Sequence, residues 1–124
     1  MDLTFVDSEG IPLPREEVRL REVSVIPLDD RRRIRVEIRI TPFLERPNLE
    51  LVLFAPGGEV VSKVSVVETD TPTLSLTMHL RSEPQAGEYA VRGALSYEMD
   101  PPQDIQERRF QLPEENGGVA AEVE

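Results

Sequence analysis

The sequence has no cysteine and no tryptophan, one histidine, and a single lysine, Lys63, among its 14 basic residues. Without cysteine there can be no disulfide framework, no thiolate nucleophile and no thiolate-bound zinc. The same absence suits a reducing compartment. Residues 1–7, MDLTFVD, have no basic region followed by an apolar run, so they do not read as a secretory leader. No stretch approaches the ~20 consecutive apolar residues of a membrane-spanning helix. Together these features give a cytoplasmic expectation. With two Tyr and four Phe as its whole aromatic complement, the chain has few platforms on which a sugar could stack.

What is present is aliphatic and acidic. Hydrophobic residues make up 39% of the 124 positions and charged residues 31%, which is the balance of a folded domain with a polar shell. One domain of this length can bury a core without staples. The domain is expected to cover residues 1–113, with 114–124 as a flexible acidic tail. The formal net charge of −10 argues against nucleic acid and anionic membrane as partners.

The apolar residues recur with period two between closely spaced turn signals, which predicts an all-β architecture. Residues 33–41 are the clearest case: Ile34, Val36, Ile38 and Ile40 alternate with Arg35, Glu37 and Arg39. Such alternation puts one face in a core and the other in water. Asn48–Phe54, 59–68, 73–81, 88–97 and 105–112 read as further strands, and residues 3–6 as a short edge strand. In the segment around 18–25 the apolar phase slips by one between Leu20 and Val23, as a β-bulge or a change of sheet requires. A helical turn over 16–22 is an alternative there, disfavoured by the valines that follow. Seven or eight short strands with one wet face each predict two antiparallel sheets packed as a sandwich.

The stretch Pro84-Gln85-Ala86-Gly87-Glu88-Tyr89-Ala90-Val91 resembles the tyrosine corner of immunoglobulin-like and fibronectin III-like domains. The resemblance implies that the Tyr89 hydroxyl bonds back to the backbone across the corner. It also makes 33–41, 48–54, 73–81 and 105–112 similar to the family's strands B, C, E and G. The family's cysteine pair and core tryptophan are absent, so an antibody-like domain is excluded. Such sandwiches host many unrelated tasks, and the resemblance implies no particular activity.

No catalytic constellation emerges. His79 stands on the polar phase of its strand, no serine sits in a nucleophile elbow, and Gly57-Gly58 is a hairpin turn rather than a phosphate-cradling loop. No catalytic, cofactor-binding or metal-binding residue is assigned. Loop acids at the chain ends, Asp2, Asp7, Glu9, Asp100 and Asp104, are the material for a secondary reading, an ion- or small-ligand-binding accessory domain, although their spacing matches no calcium loop.

Two surfaces are left as candidate partner surfaces. One is basic: Arg19, Arg21, Arg33, Arg35, Arg39, His79 and Arg81 are expected to gather on one outer face. Glu17, Glu22 and Glu37 are the residues that would reduce it to an ordinary solvated face. The other is apolar: Val52, Phe54, Ala90 and Ala94 have the outward phase of two strands expected to pair. That patch is expected either to dock a protein partner or second copy, or to lie under the proline-rich segment 11–14. The expected function is thus a non-enzymatic interaction or structural module.

Overall fold

A computed structural model describes residues 11–81 and 83–112. The expected strand at 3–6, the acids Asp2, Asp7 and Glu9, and the expected tail at 114–124 lie outside the described residues.

Seven strands form two antiparallel sheets. In chain order they are β1 (Leu20–Pro27), β2 (Arg33–Ile40), β3 (Asn48–Phe54), β4 (Val60–Val66), β5 (Thr73–His79), β6 (Glu88–Ser96) and β7 (Asp104–Gln111). One sheet runs β1-β2-β5 and the other β4-β3-β6-β7. The one helical piece among the described residues is a 3-10 turn over Arg15–Glu17, so the helical alternative at 16–22 shrinks to a single turn before β1.

Strand β2 is buried at every second residue, as its alternation demands. Ile34, Val36 and Ile38 meet Leu49, Leu51, Leu53, Val91 and Leu95 of the facing sheet in one core, and Tyr89 lies in it at 1% exposure. Each such aliphatic side chain contributes about 1.5–3 kcal/mol of transfer free energy. The phase slip in the first long strand is a bulge: the β1–β2 register shifts between Leu20 and Glu22, leaving Arg21 as the extra residue.

The tyrosine corner is present. The Gln85 backbone N–H donates to the Tyr89 hydroxyl at 2.8 Å, and the Tyr89 ring stacks on Phe110 at 5.6 Å. Gly87 enters this corner with φ of 123°, and a Cβ there would lie 2.9 Å from Pro56. Only a residue without a side chain meets both conditions at once.

The flank where β1 approaches β7 is closed by side chains. Asp104 accepts the Leu20 amide at 2.8 Å, and the Gln106 amide donates to the Leu20 carbonyl at 2.8 Å. Gln103 adds bonds to the carbonyls of Arg15 and Val18. The inward phase of β7 is accordingly polar at Asp104 and Gln106, which serve the β1 backbone, and returns to the core at Phe110, as the sequence led one to expect. On the opposite flank β4 and β5 touch little, and the inward Val64, Val66, Leu74 and Leu76 are only half-buried.

Candidate functional site

The outer face of the β1-β2-β5 sheet is built in cross-strand rows. Glu22, Arg39 and Thr73 form one row, Ser24, Glu37 and Ser75 the next, and Ile26, Arg35 and Thr77 the third; Arg33 lies opposite His79. The expected gathering of Arg33, Arg35, Arg39 and His79 is therefore present, but the charges are largely matched. Arg39 is 3.2 Å from Glu22 and Arg33 2.7 Å from Asp30. The bulge places Glu22, not Arg21, opposite Arg39, which converts a run of positive charge into a mixed face. Arg19 does not join the face at all: its guanidinium donates to the carbonyls of Glu16 and Val18. Arg35 makes no ion pair among the described residues and stands exposed beside Ile26.

The outer face of the β4-β3-β6-β7 sheet carries Val52, Phe54, Ala90 and Ala94 on the expected side. Val52 lies between Lys63 and Arg92, Phe54 between Val60 and Ala90, and Glu50 between Ser65 and Ala94. The patch is not the smooth apolar surface the sequence suggests. The Arg92 guanidinium lies over the Phe54 ring, 5.1 Å from its centre. Lys63 pairs with Glu50 at 3.3 Å, and Arg109 with Glu88 at 3.3 Å. Val52 is only 6% exposed. Long charged side chains cover apolar neighbours with their stems while their heads stay wet, and Arg92 and Lys63 are the two placed to do this. What remains open is the Phe54 rim, Val60 and, on β7, Ile105 at 53% exposure. The segment at 11–14 does not cover this face. Leu13 is bonded instead to Pro42 and Leu44 and lies beside Phe43.

Arg92 was missed in the sequence as part of this face. Its position between Ala90 and Ala94 in the outward phase was the available signal.

A second polar cluster sits at one end of the sandwich. Arg15 donates to Glu45 at 3.0 Å, pairs with Glu98 at 3.4 Å and lies 4.7 Å over the Tyr97 ring, whose hydroxyl donates to the Glu45 carbonyl at 2.9 Å. Hydrogen bonding to Glu45 raises the Arg15 guanidinium, and burial pushes the Tyr97 phenol up. Arg15 and the Tyr97 hydroxyl both spend their donors on Glu45, so these three residues brace the end of the sandwich.

Among the described residues no group of three or more His, Asp or Glu is arranged to hold a metal ion, and no helix is long and apolar enough to cross a membrane. Asp104, one of the loop acids of the secondary reading, is committed to the Leu20 amide, whereas Asp100 stands exposed.

These features define the class: an all-β, two-sheet sandwich domain, consistent with an immunoglobulin-like fold in general. No protein-family model and no curated protein matches the sequence. Among solved structures the chain is similar to an FMN-binding β-glucuronidase from Facaelibacterium prausnitzii L2-6, at 14% identity and a TM-score of 0.55, over 77% of this chain and 16% of that one. It is also similar to a glycosyl hydrolase family 2 member from Bacteroides cellulosilyticus, at 12% identity and a TM-score of 0.56, over 77% of this chain and 14% of that one. A third is the Bifidobacterium dentium β-glucuronidase complexed with coumarin-3-O-glucuronide, at 10% identity and a TM-score of 0.56, over 77% and 18%. The chain thus spans less than a fifth of the length of each. At these identities the likeness is one of fold: the matched portions are β-sandwich domains of much larger enzymes.

Proposed function

We propose that this chain is a non-catalytic accessory or interaction module, cytoplasmic as its cysteine-free composition suggests, whose task is to dock against another polypeptide. The observation that carries this reading is the fold likeness to β-sandwich domains that make up under a fifth of larger glycoside hydrolases. A sandwich with short connections, whose Arg15, Glu45 and Tyr97 are spent on one another, suits scaffolding better than chemistry, which needs a cleft with convergent polar groups.

The docking face we favour is the outer side of β4-β3-β6-β7, centred on Val52, Phe54, Ala90 and Ala94. A partly covered aromatic framed by Arg92, Lys63 and Arg109 has the make-up of an interface centre, aromatic and arginine together inside a polar rim. Arg35 and Arg39 on the other sheet form a secondary candidate surface for an acidic partner, and of the two Arg35 is the one without a counter-ion.

The test is co-purification of the chain with protein from its native host, repeated with Phe54→Glu and with Arg35→Glu. Under this reading Phe54→Glu abolishes a specific association while the melting temperature stays close to that of the parent. Turnover of a panel of aryl glycosides by the isolated chain, lost on substitution of a defined residue, would overturn the non-catalytic reading.

A further inference from the structure

A two-sheet sandwich has four edge strands, each a row of backbone donors and acceptors able to pair with another chain unless something blocks it. Three of the four here are blocked. Strand β1 has its bulge at Arg21 and ends in Pro27, and it is tied to β7 through Asp104 and Gln106. Strand β7 carries Glu107, Arg108 and Arg109. Strand β4 carries Lys63 and a register break opposite Leu53 and Phe54. Strand β5 has none of these. Its sequence, TLSLTMH, has no proline and no Lys, Arg, Asp or Glu, and its register against β2 is unbroken from Thr73 to His79.

The bonding phase of that edge follows from its two ends. The Pro72 carbonyl accepts the Ile40 amide at 2.8 Å, and the Leu80 amide donates to the Arg32 carbonyl at 2.8 Å. In an antiparallel ladder alternate residues exchange bonds with one neighbour. Leu74, Leu76 and Met78 therefore face β2 with their backbone groups, while Ser75, Thr77 and His79 turn theirs to the open side. Thr73, the next in that phase, is already served by the Thr71 hydroxyl. Beneath this edge lie Leu74 and Leu76, half-buried on the open flank.

We infer that β5 is a self-pairing edge, and that its partner is β5 of a second copy of this chain, antiparallel about a two-fold axis at Leu76. The strand reads alike in both directions around that point. Ser75 meets Thr77 of the second copy as a bonded pair on each side of the axis, while Leu76 meets itself and Leu74 meets Met78 as close apolar pairs; Thr73 stands opposite His79 with its own backbone groups held by Thr71. Hydroxyl-bearing side chains face each other on the wet side, and half-buried aliphatics gain cover on the dry side. The ends are complementary in charge. Arg81, beyond one end, comes beside Asp70 of the second copy, beyond the other; both are exposed and neither has an ion pair among the described residues. An isologous contact of this kind closes on itself, giving a six-stranded sheet and not a fibre.

The proposal is independent of the docking face on the other sheet. Sedimentation of the full chain from micromolar to millimolar concentration is the test, with circular dichroism and melting curves to establish folding. The wild type is expected to pass from monomer to dimer, with protection of the Ser75 and Thr77 amides from exchange rising in step. The double variant Ser75→Lys/Thr77→Lys puts like charges opposite each other twice and should weaken the dimer roughly tenfold or more. The variant Ser75→Lys/Thr77→Glu puts opposite charges in the same two places and should restore it. A wild type that stays monomeric throughout, a dimer indifferent to the two lysines, or a failure of the Lys/Glu variant to recover would each overturn the proposal.

Discussion

The hydroxyl of Tyr89 and the backbone amide of Gln85, four residues apart, meet at 2.8 Å across the entrance to β6. The bond ties the loop after β5 to a ring held in the core and stacked on Phe110. In Tyr89→Phe the ring and its stacking survive but the Gln85 amide loses its acceptor. Leaving such a donor unpaired costs about 1–3 kcal/mol when it is shielded from water. A lower denaturant midpoint with an unchanged slope is expected; an unchanged midpoint would show that the corner fixes geometry without stabilising it.

Gly93 faces the core between Leu51 of its own sheet and Val23 of the other. A Cβ at this position would sit 3.3 Å from Leu51 Cδ2 and 3.6 Å from Val23 Cγ2. Alanine leaves its neighbours a few tenths of an ångström to give, whereas Gly93→Val drives two further methyl groups into the gap. Overpacking of this kind costs about 1–3 kcal/mol. Thermal melts should rank wild type and Gly93→Ala close together and Gly93→Val clearly below.

The carboxylate of Asp104 holds the Leu20 amide beside the β1 bulge. Asp104→Ala removes the acceptor and should destabilise by about 1–3 kcal/mol. Asp104→Asn keeps a side-chain oxygen in place and should recover most of that loss. If both variants unfold at the same denaturant concentration, it is the charge of Asp104 and not the bond that matters.

Asp30 accepts the Arg32 amide at 2.9 Å and the Arg33 side chain at 2.7 Å, and these donors, the Arg32 amide foremost, hold its carboxyl below the ordinary value of 3.8. A carboxyl whose folded pKa is depressed contributes stability that is present above the unfolded pKa and is lost as pH falls through the folded one. Stability should therefore decline below about pH 4, the usual range for an unfolded aspartate. In Asp30→Asn the decline over that window should be shallower. Melting temperatures of the two proteins, measured from neutral pH downward, should converge; curves that stay parallel would exclude Asp30 as a contributor.

How much of this was legible in the sequence depended on which force placed each residue. Ile34, Val36, Ile38 and Ile40 obey burial, which acts with period two, so strand and face could both be read. The slip between Leu20 and Val23 announced the bulge for the same reason. Partner choice among charged residues follows no period. The sequence placed Arg39 and Arg33 on the right face and named Glu22 among the acids that could neutralise it, but could not see Asp30 beside Arg33. Asp104 reads as a loop acid and Gln106 as an ordinary polar strand residue, because their task is to meet a backbone 84 and 86 positions away. Val52 and Phe54 point outward as their phase requires. Their cover by Arg92 and Lys63 depends on cross-strand register, which a single sequence does not fix.

The two flanks of the sandwich, one laced by Asp104, Gln103 and Gln106 and the other bare between β4 and β5, make the molecule resemble a book with a spine. Transient opening should begin at the unbound margin and swing about the laced one. Water would then reach Val64 and Leu76 long before it reaches Leu20. Deuterium uptake followed residue by residue should consequently sweep across each sheet from that margin towards the spine.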